Sequence, residues 1–213
     1  MIGSALAHPS FRNENGCAFP HDFDRLEFFG DAVLNFLVCR KLFDRFPQAD
    51  EGLLSRMRSI LVSRKILFRI ARTIGLRKYV KIGRSLRHQP LKDLAKILAD
   101  TLEALIAAIF LEHGHETTDA FIEKYLGEYL APQKLFRLDP NPKSTLQELT
   151  QRYWQTLPAY EAKELVNGFE VRITVGSQKV RVRAPSKSQG EVSAARMMLR
   201  KIRSRKGLRR SAK

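Results

Sequence analysis

Carboxylates set among aliphatic residues are the groups in this sequence best suited to chemistry. Asp24, Glu27 and Asp31 stand three and four positions apart, which on a helix stacks them as one stripe. Their neighbours Leu26, Phe28, Phe29, Val33 and Leu34 are apolar, so part of that stripe borders a core. Asp100 and Glu103 repeat the spacing of three inside the run from Ile97 to Ile106, where almost everything else is aliphatic. Unpaired buried carboxylates are costly, so these acids require basic partners, protonation or a bound cation. Two helices that each offer a carboxylate pair can converge on a divalent ion, and oxygen-only ligation suits Mg²⁺ or Mn²⁺ rather than zinc. Such a site favours phosphodiester hydrolysis. The alternative from spacing alone, ion pairing with the many arginines, stands beside it with equal weight.

Helices must carry these acids. Apolar periodicity predicts helices over 24–46, 51–74 after an Asp50 cap, 92–113 and 116–130, with Gly75 and Gly114 in stop positions. Beyond Pro132 and the Asp139-Pro140-Asn141-Pro142 stretch the period changes. A helix near 145–156, strands over 160–165, 170–175 and 179–184, and a helix over 187–203 give the order α-β-β-β-α. Asn167-Gly168 and Gly176-Ser177 read as hairpin turns, and Thr145 with Glu148 and Ser186 with Gln189 as capping boxes. The expected fold is α+β in two domains: an all-α domain at 1–135, a linker at 136–142, a small α-β-β-β-α domain at 143–205 and a basic tail at 206–213. Trp154 and Tyr153 read as core of the small domain, and His113 and His115 as a loop rather than a metal site.

Charge narrows the partner. The 213 residues carry 38 Lys+Arg against 22 Asp+Glu, a net of +16, and +11 of that excess lies after Leu138. Between Gly52 and Lys92 there are twelve basic residues and no acid, and from Arg196 to Lys213 nine and none. A polyanion is the partner this implies, against the plainer reading of a solvated basic face. The longest apolar run, Ala104–Leu111, is too short to span a membrane, no signal peptide is visible, and Cys17 and Cys39 suit reduced thiols, so a cytoplasmic protein without a membrane partner is expected.

The stretch Asp24-Arg25-Leu26-Glu27-Phe28-Phe29-Gly30-Asp31-Ala32-Val33-Leu34-Asn35 resembles the signature of the ribonuclease III family, and Ala99-Asp100-Thr101-Leu102-Glu103-Ala104-Leu105-Ile106 resembles its second acidic motif. Further pieces follow in family order: Ala5 to Phe11 before the signature, then Phe46-Pro47, Asp50-Glu51-Gly52 and Ser55 to Arg58 after it. The α-β-β-β-α tail resembles a double-stranded-RNA-binding domain. The resemblance implies an endonuclease domain that hydrolyses double-stranded RNA with Mg²⁺, or Mn²⁺ in its place, leaving 5′-phosphates and short 3′ overhangs in precursors of ribosomal RNA and other structured transcripts. It makes Glu27, Asp31, Asp100 and Glu103 the metal set, with Asp31 and Glu103 catalytic. Glu51 matches a supporting acidic position near a dimer interface. Asp24 stands where the family usually has Glu. The resemblance also implies a homodimer, with Phe28 and Phe29 as core and dimer contacts and Leu53 an exposed-looking apolar neighbour.

In the tail, the resemblance assigns RNA contacts to Gln147, Glu148 and Gln151 on the first helix and to Lys187 at the start of the last, where side chain and helix dipole both favour phosphate. Ser188 stands where a second Lys is usual, and no histidine follows His115 to supply a groove-reading loop at Asn167-Gly168. Weaker or less shape-selective binding by this module is expected, and the charges from Arg200 onward suit either non-specific, salt-sensitive attraction or, with equal weight, a solubilising or disordered end. A non-catalytic duplex-binding relative is the competing class. What separates the two is retention of the acids, and all four are present.

Overall fold

The computed structural model describes residues 1–213 except 17–19, 48, 91–93, 132–133, 136–137, 140 and 211–213, and except the side chains of 152–153 and 203–210. Cys17, Tyr153, Lys92 and the side chains of the basic tail therefore lie outside the described residues. The chain divides into two units, Met1–Leu135 and the remainder.

The first unit is helical. It contains α1 (Ile2–Ala5), α2 (Pro9–Asn15), α3 (Phe23–Arg45), α4 (Glu51–Leu61), α5 (Arg64–Ile74), α6 (Arg84–Arg87) and α7 (Ala95–Leu126). Caps fix where the longer helices begin. The Asp22 side chain accepts the Arg25 amide at 3.1 Å to open α3, and Asp50 accepts the Leu53 amide at 2.8 Å to open α4. Leu34, Leu37 and Leu42 of α3 and Leu98 and Leu102 of α7 are fully buried, with Met57, Leu61, Ile66 and Leu67 from α4 and α5 completing the core.

One expectation changes here and one holds. The helix predicted over 51–74 breaks at Val62-Ser63, because Ser63 is extended (ψ 143) and its hydroxyl donates to the Ile60 carbonyl at 2.6 Å. A serine that bonds its own backbone competes with the helix ladder, and α5 starts afresh with Ser63 as its N-cap. The predicted stop at Gly114 is present within α7: φ 77 and ψ −173 are not helical, and they separate a helix that carries Asp100 and Glu103 from one that carries Thr118 and Ile122. The Thr118 hydroxyl donates to the Gly114 carbonyl at 2.7 Å, in the first turn after the break.

The second unit contains α8 (Pro142–Trp154), β1 (Ala159–Leu165), β2 (Gly168–Val175), β3 (Gln178–Ala184) and α9 (Lys187–Arg210). The strands form an antiparallel sheet in the order β1-β2-β3. Val171, Ile173, Val175 and Val180 alternate onto one face and meet Leu146 of α8 and Ala194, Ala195, Met198, Leu199 and Ile202 of α9. Gly190 lets α9 lie against β2, since a Cβ there would run into Val171.

Three local expectations are corrected. The first hairpin turns through Val166-Asn167, one residue earlier than predicted, with Leu165 paired to Gly168. Gly168, at φ 117, is already in the strand, and a Cβ there would run into the Ala184 carbonyl oxygen. The Thr145 cap does not form: α8 begins at Pro142, and the buried Thr145 hydroxyl donates to Asp139 Oδ2 at 2.7 Å. Trp154, expected in the core, is 41% exposed. The Ser186 cap is present, with its hydroxyl oxygen accepting the Gln189 amide at 3.3 Å.

Candidate active site

The longest helices of the first unit, α3 and α7, lie side by side, and the closeness of their approach depends on one residue. A Cβ on Gly30 would overlap the carbonyl oxygen of Glu103. Backbone meets backbone there, so the stripe on α3 faces the acids of α7 across a short gap. Carboxylate oxygens of Glu27, Asp100 and Glu103 lie within 4.8 Å of one another, the one such group among the described residues. They line a pocket of about 540 Å³ together with Asp24 and Asp31.

Asp31 lies on the wall of that pocket rather than in the tight group of three. Its Oδ1 accepts a hydrogen bond from Asn35 Nδ2 at 2.8 Å, and the same amide donates to the Asp31 carbonyl at 2.9 Å. Asp24 is exposed at the rim. Glu51 does not join them. It sits exposed in the first turn of α4, accepts the Ser55 hydroxyl at 2.9 Å, and borders a separate groove with Phe36, Cys39, Phe43 and Arg58.

Crowding sets the electrostatics. Burial, followed by the charges of Asp31, Asp100 and Glu27, pushes the Glu103 carboxyl from 4.5 up to about 8, with Arg64 opposing. Burial also raises Glu27, with Asp100 adding to the effect and Lys96 opposing it. Like charges held this close in a half-buried pocket call for a cation, and an all-oxygen donor set fits a hard divalent ion. Two basic side chains that the sequence reading did not single out belong to the pocket: Arg64 at the start of α5, and Lys96, whose Nζ lies 3.4 Å from Asp100 Oδ2. The i,i+4 spacing of Lys96 and Asp100 was a usable signal.

On the second unit, Gln147, Glu148 and Gln151 are exposed along α8, and Lys187 is exposed as the first residue of α9. All four are on the surface of one small domain, as an RNA-contacting role requires.

Comparison with known proteins agrees with this architecture. A family model described as Ribonuclease-III-like matches residues 1–130, and one described as Double-stranded RNA binding motif matches 142–202. A Leptospira interrogans protein named Ribonuclease 3 is 32% identical over 206 residues, covering 94% of this chain and 83% of its own length. A Pseudomonas fluorescens protein of the same name is 37% identical over 198 residues, covering 90% and 83%. Among solved structures, the nuclease domain of ribonuclease III from Campylobacter jejuni superimposes with a TM-score of 0.53 at 33% identity, over 61% of this chain and 84% of that one. A helical nuclease domain with converging acids, followed by a duplex-RNA-binding motif, thus identifies the chain as a member of the ribonuclease III family of endoribonucleases.

Proposed function

We infer that this endoribonuclease hydrolyses double-stranded RNA with the help of a divalent cation, Mg²⁺ or Mn²⁺, bound by Glu27, Asp100, Glu103 and Asp31. The observation that carries the reading is the convergence of three carboxylates within 4.8 Å in a pocket where burial and like charge push Glu103 up to about 8. Bound there, the cation supplies Lewis acidity that activates water and offsets charge developing on the phosphate.

The chain's own residues do the rest. Gly30 keeps α3 close enough to α7 for acids from both helices to share one ion. Asn35 holds the Asp31 carboxylate in place through Oδ1. Near neutral pH, Glu103 keeps its proton until a cation displaces it. The acid-free basic stretch that runs through α4 and α5, with Arg64 at the pocket, draws the phosphate backbone toward the carboxylates.

The family resemblance extends the reading to 5′-phosphate products with short 3′ overhangs, to ribosomal RNA precursors and other structured transcripts as substrates, and to the cytoplasm where these occur. Among the described residues no helix is long and apolar enough to cross a membrane. A homodimer of the helical domain is part of the same proposal. Phe28, Phe36 and Phe43 are exposed by 79%, 57% and 70% on α3, a cost that burial against a second copy removes. The nuclease domain of ribonuclease III from Campylobacter jejuni, similar to this chain at a TM-score of 0.52, is described as structurally flexible in a region involved in its dimer formation. Phe29, by contrast, packs edge-on against Phe110 within the unit.

The test is incubation of the purified protein with a long duplex RNA, with and without Mg²⁺, beside Glu103→Gln. The variant should lose cleavage and keep duplex binding, since it removes a cation ligand and no phosphate contact. Cleavage at the wild-type rate by Glu103→Gln, or in a chelator, overturns the reading. A monomeric mass by light scattering in an active micromolar preparation overturns the dimer.

A further inference from the structure

Lys96 stands out because it places a positive charge where the proposed chemistry needs another. It lies one turn before Asp100 on α7 and lines the same pocket wall as Glu27 and Glu103. Its Nζ is 3.4 Å from Asp100 Oδ2, and its charge also acts on Glu27. The two side chains differ sharply in exposure: that of Asp100 is 11% exposed and that of Lys96 is 67% exposed. The ammonium therefore stands at the mouth of the pocket, between the buried carboxylates and solvent, on a flexible stem. Arg64 acts on Glu103 in the same pocket, so the cation-free pocket already holds two counter-charges of its own.

We propose that Lys96 exchanges partners during the reaction: it neutralises Asp100 and Glu27 while the pocket holds no divalent cation, and moves to a non-bridging oxygen of the RNA phosphate once the cation is in place. The inference rests on the reading of this pocket as the cation and cleavage site. A divalent ion ligated by Asp100 removes the attraction that holds the ammonium and adds repulsion at close range. The four-carbon stem allows the departure without any change in α7. An entering phosphate then offers the freed ammonium a new anionic partner at the pocket mouth. The consequence is a coupling between ligands. In the absence of RNA, Lys96 works against cation binding, and in its presence Lys96 ties the substrate to the cation-loaded pocket.

Mn²⁺ titration of the chelator-treated full chain without RNA, followed by electron paramagnetic resonance, tests the first half. Lys96→Gln should bind Mn²⁺ about two- to fivefold more tightly than wild type, the range expected for losing an exposed charge pair. Lys96→Arg, which keeps the charge, should remain at the wild-type value. Under saturating Mg²⁺, Lys96→Gln should raise KM for a duplex substrate severalfold with kcat nearly unchanged, the pattern of a contact made equally in ground and transition states. A merely structural role for Lys96 has no reason to tighten the cation site. Unchanged or weaker Mn²⁺ binding by Lys96→Gln, or equal tightening by Lys96→Arg, overturns the proposal. Glu103→Gln in the same titration separates the two readings: if it binds Mn²⁺ as wild type does, the pocket is not the cation site and the proposed function itself fails.

Discussion

Replacing Glu103 by Gln should make the cation-free helical domain more stable as it destroys the chemistry. In the unfolded chain this carboxyl ionises near 4.5, and in the folded protein near 8. Between those values the folded state holds a proton that the unfolded state has lost, so stability falls as pH rises from about 4.5, and the loss is complete above about 8. The difference between about 8 and 4.5, at about 1.36 kcal/mol per pH unit, sets a ceiling of about 5 kcal/mol. Because the side chain is still partly open to solvent, screening reduces this to about 2 kcal/mol. An amide of nearly the same shape carries no charge to desolvate and none to repel Asp31, Asp100 and Glu27. Denaturant unfolding in a chelator, followed by hydrogen exchange of the α3 and α7 amides, measures the difference. At about pH 5 the two proteins should agree within about 0.5 kcal/mol, and at about pH 8.5 the variant should be more stable by about 2 kcal/mol. Excess Mg²⁺ at the higher pH should restore the wild type and leave the variant unmoved. A variant less stable than wild type at pH 8.5, or one that gains equally at both pH values, refutes the argument from crowding and burial.

Further expectations follow from the same geometry. Cation binding must displace the Glu103 proton, so affinity for Mg²⁺ should climb between about pH 6 and pH 8 and level off above that; calorimetry in buffers of different ionisation enthalpy should show close to one proton released per site at pH 6.5 and almost none at pH 9. Gly30→Ala pushes a methyl into the Glu103 carbonyl and should destabilise the helical domain by about 2–4 kcal/mol and abolish cleavage, checked by denaturation and duplex cleavage. Deleting residues 204–213 removes five basic charges, so the slope of log affinity against log salt for a duplex of about 20 base pairs should become shallower, by about one unit at most per lost phosphate contact, while cleavage at low salt persists.

How much of this was legible depends on how local each determinant is. The stripe at Asp24, Glu27 and Asp31 and the pair at Asp100 and Glu103 follow from helical spacing, whereas the facing of the two helices is set by the close approach at Gly30, which spacing leaves open. The strands follow from alternation at Val171, Ile173 and Val175. The break between α4 and α5 was hidden, because apolar period continues through Ile66 and Leu67 and a single hydroxyl bond from Ser63 to Ile60 decides against it. Thr145 looked like a cap because the buried partner that claims it, Asp139, lies outside the helix that the pattern revealed. The motif matches Glu51 to a supporting acidic position near a dimer interface, and that it borders a groove separate from the acids' pocket is a tertiary fact that spacing along the chain does not contain. Lys96 is the converse case: its i,i+4 spacing to Asp100 is legible, but its closeness to Glu27 on the other helix is a tertiary fact.

The contact at Gly30 also says how this pocket should fail. Most binding sites are assembled on loops, which open at low energetic cost and lose function well before the body unfolds. Here the acids are borne by two helices whose backbones touch, and the leucines on either side of the contact are fully buried. There is no slack to take up: α3 cannot drift from α7 without exposing that core, and it cannot come closer. Heat or denaturant should therefore leave cleavage competence intact until the helical domain itself melts, so that the activity curve and the unfolding curve fall together.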